Sequence, residues 1–251
     1  MAGKIRVMTF PGAHNLPLYL MDGIEIIYTK SRDEQIFSIV HDEVEVIHTS
    51  PDNLLLPDAS DLIPFLPGTV GPLHLFKRHD NANTLETQTL GVDNPHSGFA
   101  MLAYRWLRMA HLPLPQVVEV GGTPQRFEAL KSGRVDMAVM HMPFTQMCAS
   151  LGFRSMGRID EGYPTLCGAV KGVLADAPFV VSYRRQYEQA LDTLSGPNGL
   201  ELAVRIFEQH LAFAHVPVPE LAERMRLEVI AAGSIFHTAS MRTVRELRNN
   251  G

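Results

Sequence analysis

The hydrophobic positions of this chain alternate between two periods. Short apolar runs of four to eight residues, the length of a strand, are followed by stretches in which apolar side chains recur every three or four residues, the spacing of a helix face. KIRVMTF (4–10), IEIIYT (24–29) and VEVIHT (44–49) are strands by this rule. LPLYLM (16–21) predicts a helix or a single helical turn that stops at Asp22-Gly23, and Ser31 or Asp33 caps a helix carrying Ile36, Phe37, Ile39 and Val40. The stretch 62–80 is apolar but broken by proline and glycine, which predicts short strands and connections.

The clearest alternation lies between Leu90 and Phe144. LGVD is a strand, and Asn94 with Pro95 makes a cap-plus-proline start for a helix whose face is Phe99, Leu102, Trp106 and Met109. Thr123-Pro124 repeats that start, with Phe127 and Leu130 as the apolar face and Gly133 as the stop. VDMAVMHM (135–142), nearly all apolar, fits a strand buried on both faces of a parallel sheet. Met137, Met140 and Met142 within it are most simply core. Strands alternating with helices imply an α/β fold with right-handed crossovers, and ligands in such sheets sit beyond the carboxyl ends of the strands. Helices fill the tail: 183–194 closed by Ser195-Gly196-Pro197, then 198–213 with Leu200, Ala203, Ile206, Phe207 and Leu211 on one face, then 219–230 and 240–250.

An internal repeat is also present. Ile36, Ile39, Val44, Glu45 and Val46 align at one constant offset with Phe127, Leu130, Val135, Asp136 and Met137. Convergence of two αβ units would give the same pattern. If the repeat is real, two βαβ halves place their strand-end loops on one shared cleft.

Composition narrows the function classes. The 251 residues suffice for one domain or two lobes, and 45% hydrophobic with 20% charged residues is ordinary globular protein. A net charge of −5 and the lack of a basic stripe with interleaved aromatics argue against nucleic acid. Cys148 and Cys167 have neither metal-ligand nor CxxC spacing and read as buried thiols. No apolar run has the length of a membrane span. The first residues hold no apolar signal core, so the expected location is cytoplasmic if Met1 is the natural start, and periplasmic or extracellular if a signal peptide was removed.

Four of the eleven histidines, His14, His48, His96 and His141, fall at predicted strand ends or in the turns after them. Imidazole can donate or accept a hydrogen bond, move a proton or bind a metal. Singly, each fits a packed or solvated polar residue, and His48, inside an apolar strand, fits a structural one. No two share ligand spacing, so no metal is expected. Asp52 and Asn53 could pair with a ligand amine or orient a histidine, whereas Glu45 and Asp136, at strand starts, read as structural. The helix expected at Asn94-Pro95 would aim the N–H groups of His96 and Ser97 at an anion, and Thr123 would open a second helix the same way; plain solvated caps are the alternative. Gly121 to Pro124 lacks the GK[ST] of a phosphate loop, and Ser97-Gly98 lacks a nucleophile elbow. Phe10, Phe144 and Tyr163 could stack on a planar ligand or pack, with Phe144 the better candidate for a wall of the cleft.

GVDNPHSGFAMLAYRWLRMAHL (91–112), VEVGGTPQRFEALKSGRVDMAVMHMPF (118–144) and GFRSMGRIDEGYPTLCGAV (152–170) together resemble the substrate-binding proteins for nitrate, sulfonates, taurine and thiamine-pyrimidine precursors. FPGAHNLPLYL (10–20) and VEVIHTSPDNLLLP (44–57) extend the resemblance to the N-terminal half. It implies a two-lobed type II periplasmic-binding-protein-like fold, with two inter-lobe crossings and a central cleft that closes on a ligand. Residues 1–88 with 171–251 would form one lobe and 89–170 the other. Carried over by position, the ligand-binding residues are Ala13, His14, Asn15, Thr49, Ser50, Asp52, Asn94, His96, Ser97, Gly98, Gly122, Thr123, His141 and Phe144. The implied function is binding of a small anionic or heteroaromatic ligand, with no cofactor, as part of an ABC-type uptake system with a permease as partner, or as a soluble sensor. Histidine at 14, 96 and 141, where the family tends to small, hydroxyl or amide residues, keeps a second expectation open. It is a cytoplasmic lyase or pyrimidine-precursor synthase on the same fold, with His14, His96 or His141 as general acid or base.

Overall fold

The computed structural model describes residues 3–78, 88–160, 163–210, 218–232 and 242–247. The chain divides into two compact units, Met1–Gly71 with Pro164–Met241, and Pro72–Tyr163 with Arg242–Gly251.

In the first unit, β1 (Ile5–Thr9) leads through a 3-10 segment, Ala13–Leu20, to β2 (Ile24–Tyr28), then α1 (Arg32–Val40) and β3 (Val46–Thr49). Two further 3-10 turns, Pro51–Leu55 and Pro57–Ala59, precede β4 (Leu62–Gly68). The second unit begins with β5 (His74–Lys77) and continues through β6 (Thr89–Val92), α2 (Gly98–Met109), β7 (Gln116–Glu119), α3 (Thr123–Ser132), β8 (Met137–Met140), α4 (Phe144–Ser150) and β9 (Arg154–Arg158). The chain returns to the first unit with β10 (Leu166–Lys171), α5 (Pro178–Ser195), α6 (Gly199–His210) and α7 (Val218–Ala232), and residues 242–247 are helical. No helix among the described residues is long and apolar enough to cross a membrane.

Both units contain the same sheet. The orders are β2-β1-β3-β10-β4 and β7-β6-β8-β5-β9. In each, a first strand pairs in parallel with both neighbours, and a strand from elsewhere in the chain is inserted antiparallel beside the third. The first sheet is apolar on both faces. Met8, Ile47, Cys167 and Ala169 meet Ile36 and Ile39 of α1 on one side, and Val7, Val46, Leu66 and Val170 meet Leu18, Val180, Tyr183 and Tyr187 on the other. Continuous β runs such as IHT and MAVM therefore have no solvent face to alternate with.

The internal repeat is visible as matched hydrogen bonds. Glu45, just ahead of β3, takes the Arg6 N–H on its carboxylate at 2.7 Å while its own N–H donates to the Arg6 carbonyl. Asp136, just ahead of β8, does the same with Thr89, whose N–H and hydroxyl both reach it at 2.9 Å. At the opposite strand ends, Gln35 Nε2 donates to the His48 carbonyl at 2.9 Å, and Arg126 Nε donates to the Val139 carbonyl at 3.0 Å, a pair at the same offset as the rest of the repeat. Glu45 and Asp136 thus tie down the strand starts, the structural role read from their position.

Several local expectations change. The boundary expected at 88 moves to 71, because β5 pairs with β8 and β9 of the second sheet. The return expected at 171 moves to 164, because β10 begins at Leu166 between β3 and β4. The end of the tail groups with the second unit from Arg242. On α2 the buried stripe is Ala100, Leu102, Ala103 and Leu107, not one running to Met109, which is 69% exposed. On α6, Ala203, Ile206 and Phe207 are buried as expected and Leu200 is 39% exposed, while Leu211 lies outside the described residues. Of the two residues expected to cap α1, Ser31 is the cap, its hydroxyl accepting from the N–H groups of Asp33 and Glu34. Gly133 ends α3 in the left-handed conformation, φ +77°, that glycine adopts without steric cost.

Candidate functional site

The carboxyl ends of the strands carry most of the buried polar side chains of each unit, and each set is described within its own unit. In the first, Thr9 ends β1 and the chain turns through Pro11 and Gly12 into the 3-10 segment that opens at Ala13. Thr9, His14 and Asn15 are all fully buried and bonded to one another. The Thr9 hydroxyl lies 3.0 Å from Asn15 Oδ1 and 3.1 Å from His14 Nε2, and Asn15 Nδ2 donates to the Phe10 carbonyl at 2.8 Å. Thr9 has one proton, and Asn15 Oδ1 is a pure acceptor. His14 Nε2 therefore carries a proton and donates to the threonine oxygen.

At the end of β3, Thr49 Oγ1 accepts from Asn53 Nδ2 at 2.8 Å, and the Ser50 hydroxyl donates to Asp52 Oδ1. Thr49, Asp52 and Asn53 are buried, Ser50 partly so. His48, one residue earlier, points away from this set. Its Nε2 lies 2.9 Å from the Tyr183 hydroxyl, and its ring sits against Tyr183 and Tyr187. Burial pushes its pKa down to about 4. His48 is part of the core, as its apolar neighbours in the sequence suggested.

In the second unit the expected helix start at Asn94-Pro95 is not one. Asn94 folds its side chain back to accept the His96 N–H at 2.9 Å, and its carbonyl accepts the Ser97 N–H at 3.0 Å. The two donors assigned to an anion are therefore consumed by the turn, a common use of asparagine. The cap is Ser97, whose hydroxyl oxygen accepts from the Ala100 N–H, and α2 begins at Gly98. His96 is exposed, and Asn94 is half-buried. Thr123 is likewise not a cap. Gly122 precedes the helix and Thr123 is its first residue, with its hydroxyl turned inward.

That inward turn builds a continuous polar network. Arg126 NH2 donates to Thr123 Oγ1 at 2.7 Å, and Thr123 Oγ1 lies 2.8 Å from His141 Nε2. Arg126 NH1 faces Asp93 Oδ1 at 3.5 Å and the Gly121 carbonyl at 3.4 Å, and the Ser97 hydroxyl donates to the same Asp93 oxygen at 2.6 Å. His141 Nδ1 donates to the Met142 carbonyl at 2.8 Å. A carbonyl only accepts, so the imidazole proton sits on Nδ1, and Nε2 accepts the Thr123 proton. Burial pushes the His141 pKa down to about 4, with the Arg126 charge adding to the effect and the Met142 carbonyl opposing it. His141 is thus neutral at neutral pH with both nitrogens engaged. Phe144, the first residue of α4, is buried, its ring edge-on to His141 and against Phe127. Tyr163 is also buried.

Three members of these sets escaped the sequence reading: Thr9, Asp93 and Arg126. A signal existed for Arg126. It sits between Thr123 and Phe127 on the stripe that Phe127 and Leu130 define, so helical spacing alone places it on the buried face. Thr9 and Asp93 each follow or end a strand at its carboxyl end, where ligand loops begin. Among the described residues no group of three or more His, Cys, Asp or Glu side chains could hold a metal ion.

No family model matches the sequence, and no curated protein does. Solved structures do match over nearly the whole chain. The ligand-binding component of an ABC-type import system from Staphylococcus aureus, solved with zinc bound, superimposes with a TM-score of 0.77 at 11% identity, covering 99% of this chain and 92% of that one. The alkanesulfonate-binding protein of Xanthomonas axonopodis pv. citri, bound to MOPS, gives 0.75 at 14% identity, covering 98% and 91%. A Candida albicans gene product described as having the generic periplasmic binding protein fold gives 0.74 at 11% identity, covering 100% and 91%. With two copies of one sheet order and this breadth of structural likeness, the chain has the periplasmic-binding-protein fold.

Proposed function

We propose that the protein binds a small molecule without transforming it, as the substrate-binding component of an ABC-type import system. One observation carries the reading: the polar side chains at the strand ends of each unit are buried and already bonded to one another. Thr9, His14 and Asn15 form one such set, and Asp93, Ser97, Thr123, Arg126 and His141 another. Side chains fixed in this way hold the strand-end loops in one conformation, which lowers the ordering cost of binding. His141 is poorly arranged for proton transfer, being neutral with both nitrogens engaged. Support also comes from the structurally similar proteins, which include a ligand-binding component of an ABC-type import system and an alkanesulfonate-binding protein.

The ligand class that fits is a small anionic or heteroaromatic compound, and the candidate contacts within each unit are its own strand-end residues, Asn15, Thr49, Ser50 and Asp52 in the first and Thr123 with the residues around Gly98 and Gly122 in the second. The loss of the His96 and Ser97 N–H groups as donors shifts the weight toward a heteroaromatic ligand with its own hydrogen-bonding edge.

A thermal-shift screen across sulfonates, carboxylates and aminopyrimidines, read alongside native mass spectrometry, tests this. A ligand at a hundredfold its Kd stabilises the fold by about 2.7 kcal/mol, and the same compound should be recovered unchanged. Stabilisation by no member of the panel, or conversion of a bound compound to a product of different mass, would overturn the proposal; the second result would restore the lyase reading.

A further inference from the structure

The second unit contains a groove that the strand-end residues do not use. It has a volume of about 300 Å³ and lies between one face of α2 and the end of β9, lined by Leu102, Arg105, Trp106, Met109 and Arg158. Its size is at the lower limit for small-molecule sites. Three features set it apart from an ordinary surface dimple. Trp106 is the single tryptophan of the chain and is only partly buried. Its indole lies against Gly157, where a Cβ would come within 2.9 Å of the ring, so the backbone of β9 is shaped to accept it. Met109, one turn further along α2, is 69% exposed and gives the groove an apolar wall beside the indole.

The charge of the groove has one sign. Arg158 holds Asp160, with Nε donating at 2.8 Å, so that guanidinium is largely balanced. Arg105 is exposed and, among the described residues, has no hydrogen-bond or ion-pair partner. In a protein of net charge −5, an indole beside an uncompensated guanidinium is a local exception. The combination suits a flat ring bearing an anionic group: the ring stacks on the indole and against the methionine, and the acid takes the fork of Arg105.

We propose that this groove is a second ligand site, selective for a small aromatic carboxylate or sulfonate, and independent of the strand-end loops. The site lies wholly within the second unit, and its existence does not depend on what the strand-end residues bind.

The single tryptophan gives one indole Nε1–H cross-peak, which reports on the groove directly. Uniformly 15N-labelled full-length protein is titrated with benzoate, 4-toluenesulfonate, cyclohexanecarboxylate and benzylamine. The expected result is a saturable movement of that cross-peak with benzoate and 4-toluenesulfonate at millimolar concentration. Cyclohexanecarboxylate, lacking the flat ring, should bind several-fold more weakly, and benzylamine, of opposite charge, should give no saturable shift. Arg105→Ala, at an exposed position that leaves the melt unchanged, should weaken benzoate about tenfold, the loss of one charge-assisted fork. Ser97→Ala, in the strand-end network, should leave the benzoate titration as it is. Equal responses to benzoate and benzylamine, or a benzoate titration indifferent to Arg105→Ala, would overturn the proposal.

Discussion

Two buried neutral imidazoles, one in each unit, should make this protein lose stability on mild acidification, well before its carboxylates titrate. His48 bonds Tyr183 through Nε2, and its Nδ1 has no partner among the described residues. Protonation would leave a charged N–H donor buried without an acceptor. His141 accepts from Thr123 at Nε2, so protonation there reverses that bond beside the Arg126 charge. Both are pushed to about 4 from the ordinary 6.5. The folded value lies below the unfolded one, so the unfolded chain takes up the proton first. Stability is therefore complete above about pH 6.5 and drains away as pH falls toward 4. With those values each imidazole removes roughly 2 kcal/mol between pH 7 and pH 5, or roughly 4 kcal/mol for the pair. Against a typical total of about 5–15 kcal/mol this is a large fraction. Glu34 and Glu45 have pKa values below the ordinary carboxylate range, so their contribution is lost only at lower pH. The partly buried His74, shifted down by burial, adds in the same direction as the pair.

The assay is urea unfolding at pH 7, 6 and 5, followed by far-UV circular dichroism for the whole chain and by Trp106 emission for the second unit. Wild type should lose midpoint steeply over this range. His48→Gln should remove about half of the loss seen by circular dichroism while leaving the Trp106 transition as pH-dependent as before, and His141→Gln should flatten the Trp106 transition. If the double variant and wild type lose equal stability between pH 7 and pH 5, the burial of these two rings in neutral form is wrong.

Three other substitutions probe the strand-end layer and the first core. Arg126→Met should cost about 3 kcal/mol in the urea midpoint, the lower end for breaking a buried ion pair, because Asp93 is 29% exposed and keeps its water and its Ser97 bond; Asp93→Asn should cost clearly less. In β10, Gly168→Ala places a Cβ 2.9 Å from Leu66 Cβ on the neighbouring strand, so calorimetry should show a loss of about 1–3 kcal/mol from overpacking.

The sequence by itself determined most of the element order and some of the ends, because those depend on residues within a turn of one another. Ser31 as a cap, Gly133 as a stop, the doubly buried run at Met137–Met140 and the tie points Glu45 and Asp136 were all legible from spacing. So was the alternation that makes the fold α/β. The tertiary structure decided what local pattern cannot encode. Nothing near Asn94 in the chain announces that its side chain will close on His96 and hand the cap to Ser97, since two competent caps stood three residues apart and only packing chose between them. The insertion of β10 beside β3 and of β5 beside β8 pairs residues about sixty or more positions apart, and it moved both unit boundaries. Arg126 lay on a face the pattern marked as buried, but its meaning came from Asp93, Thr123 and Val139, which the fold brings to it. A buried charge is tolerated only with its partners in place, and those partners are set by topology rather than by the neighbouring sequence.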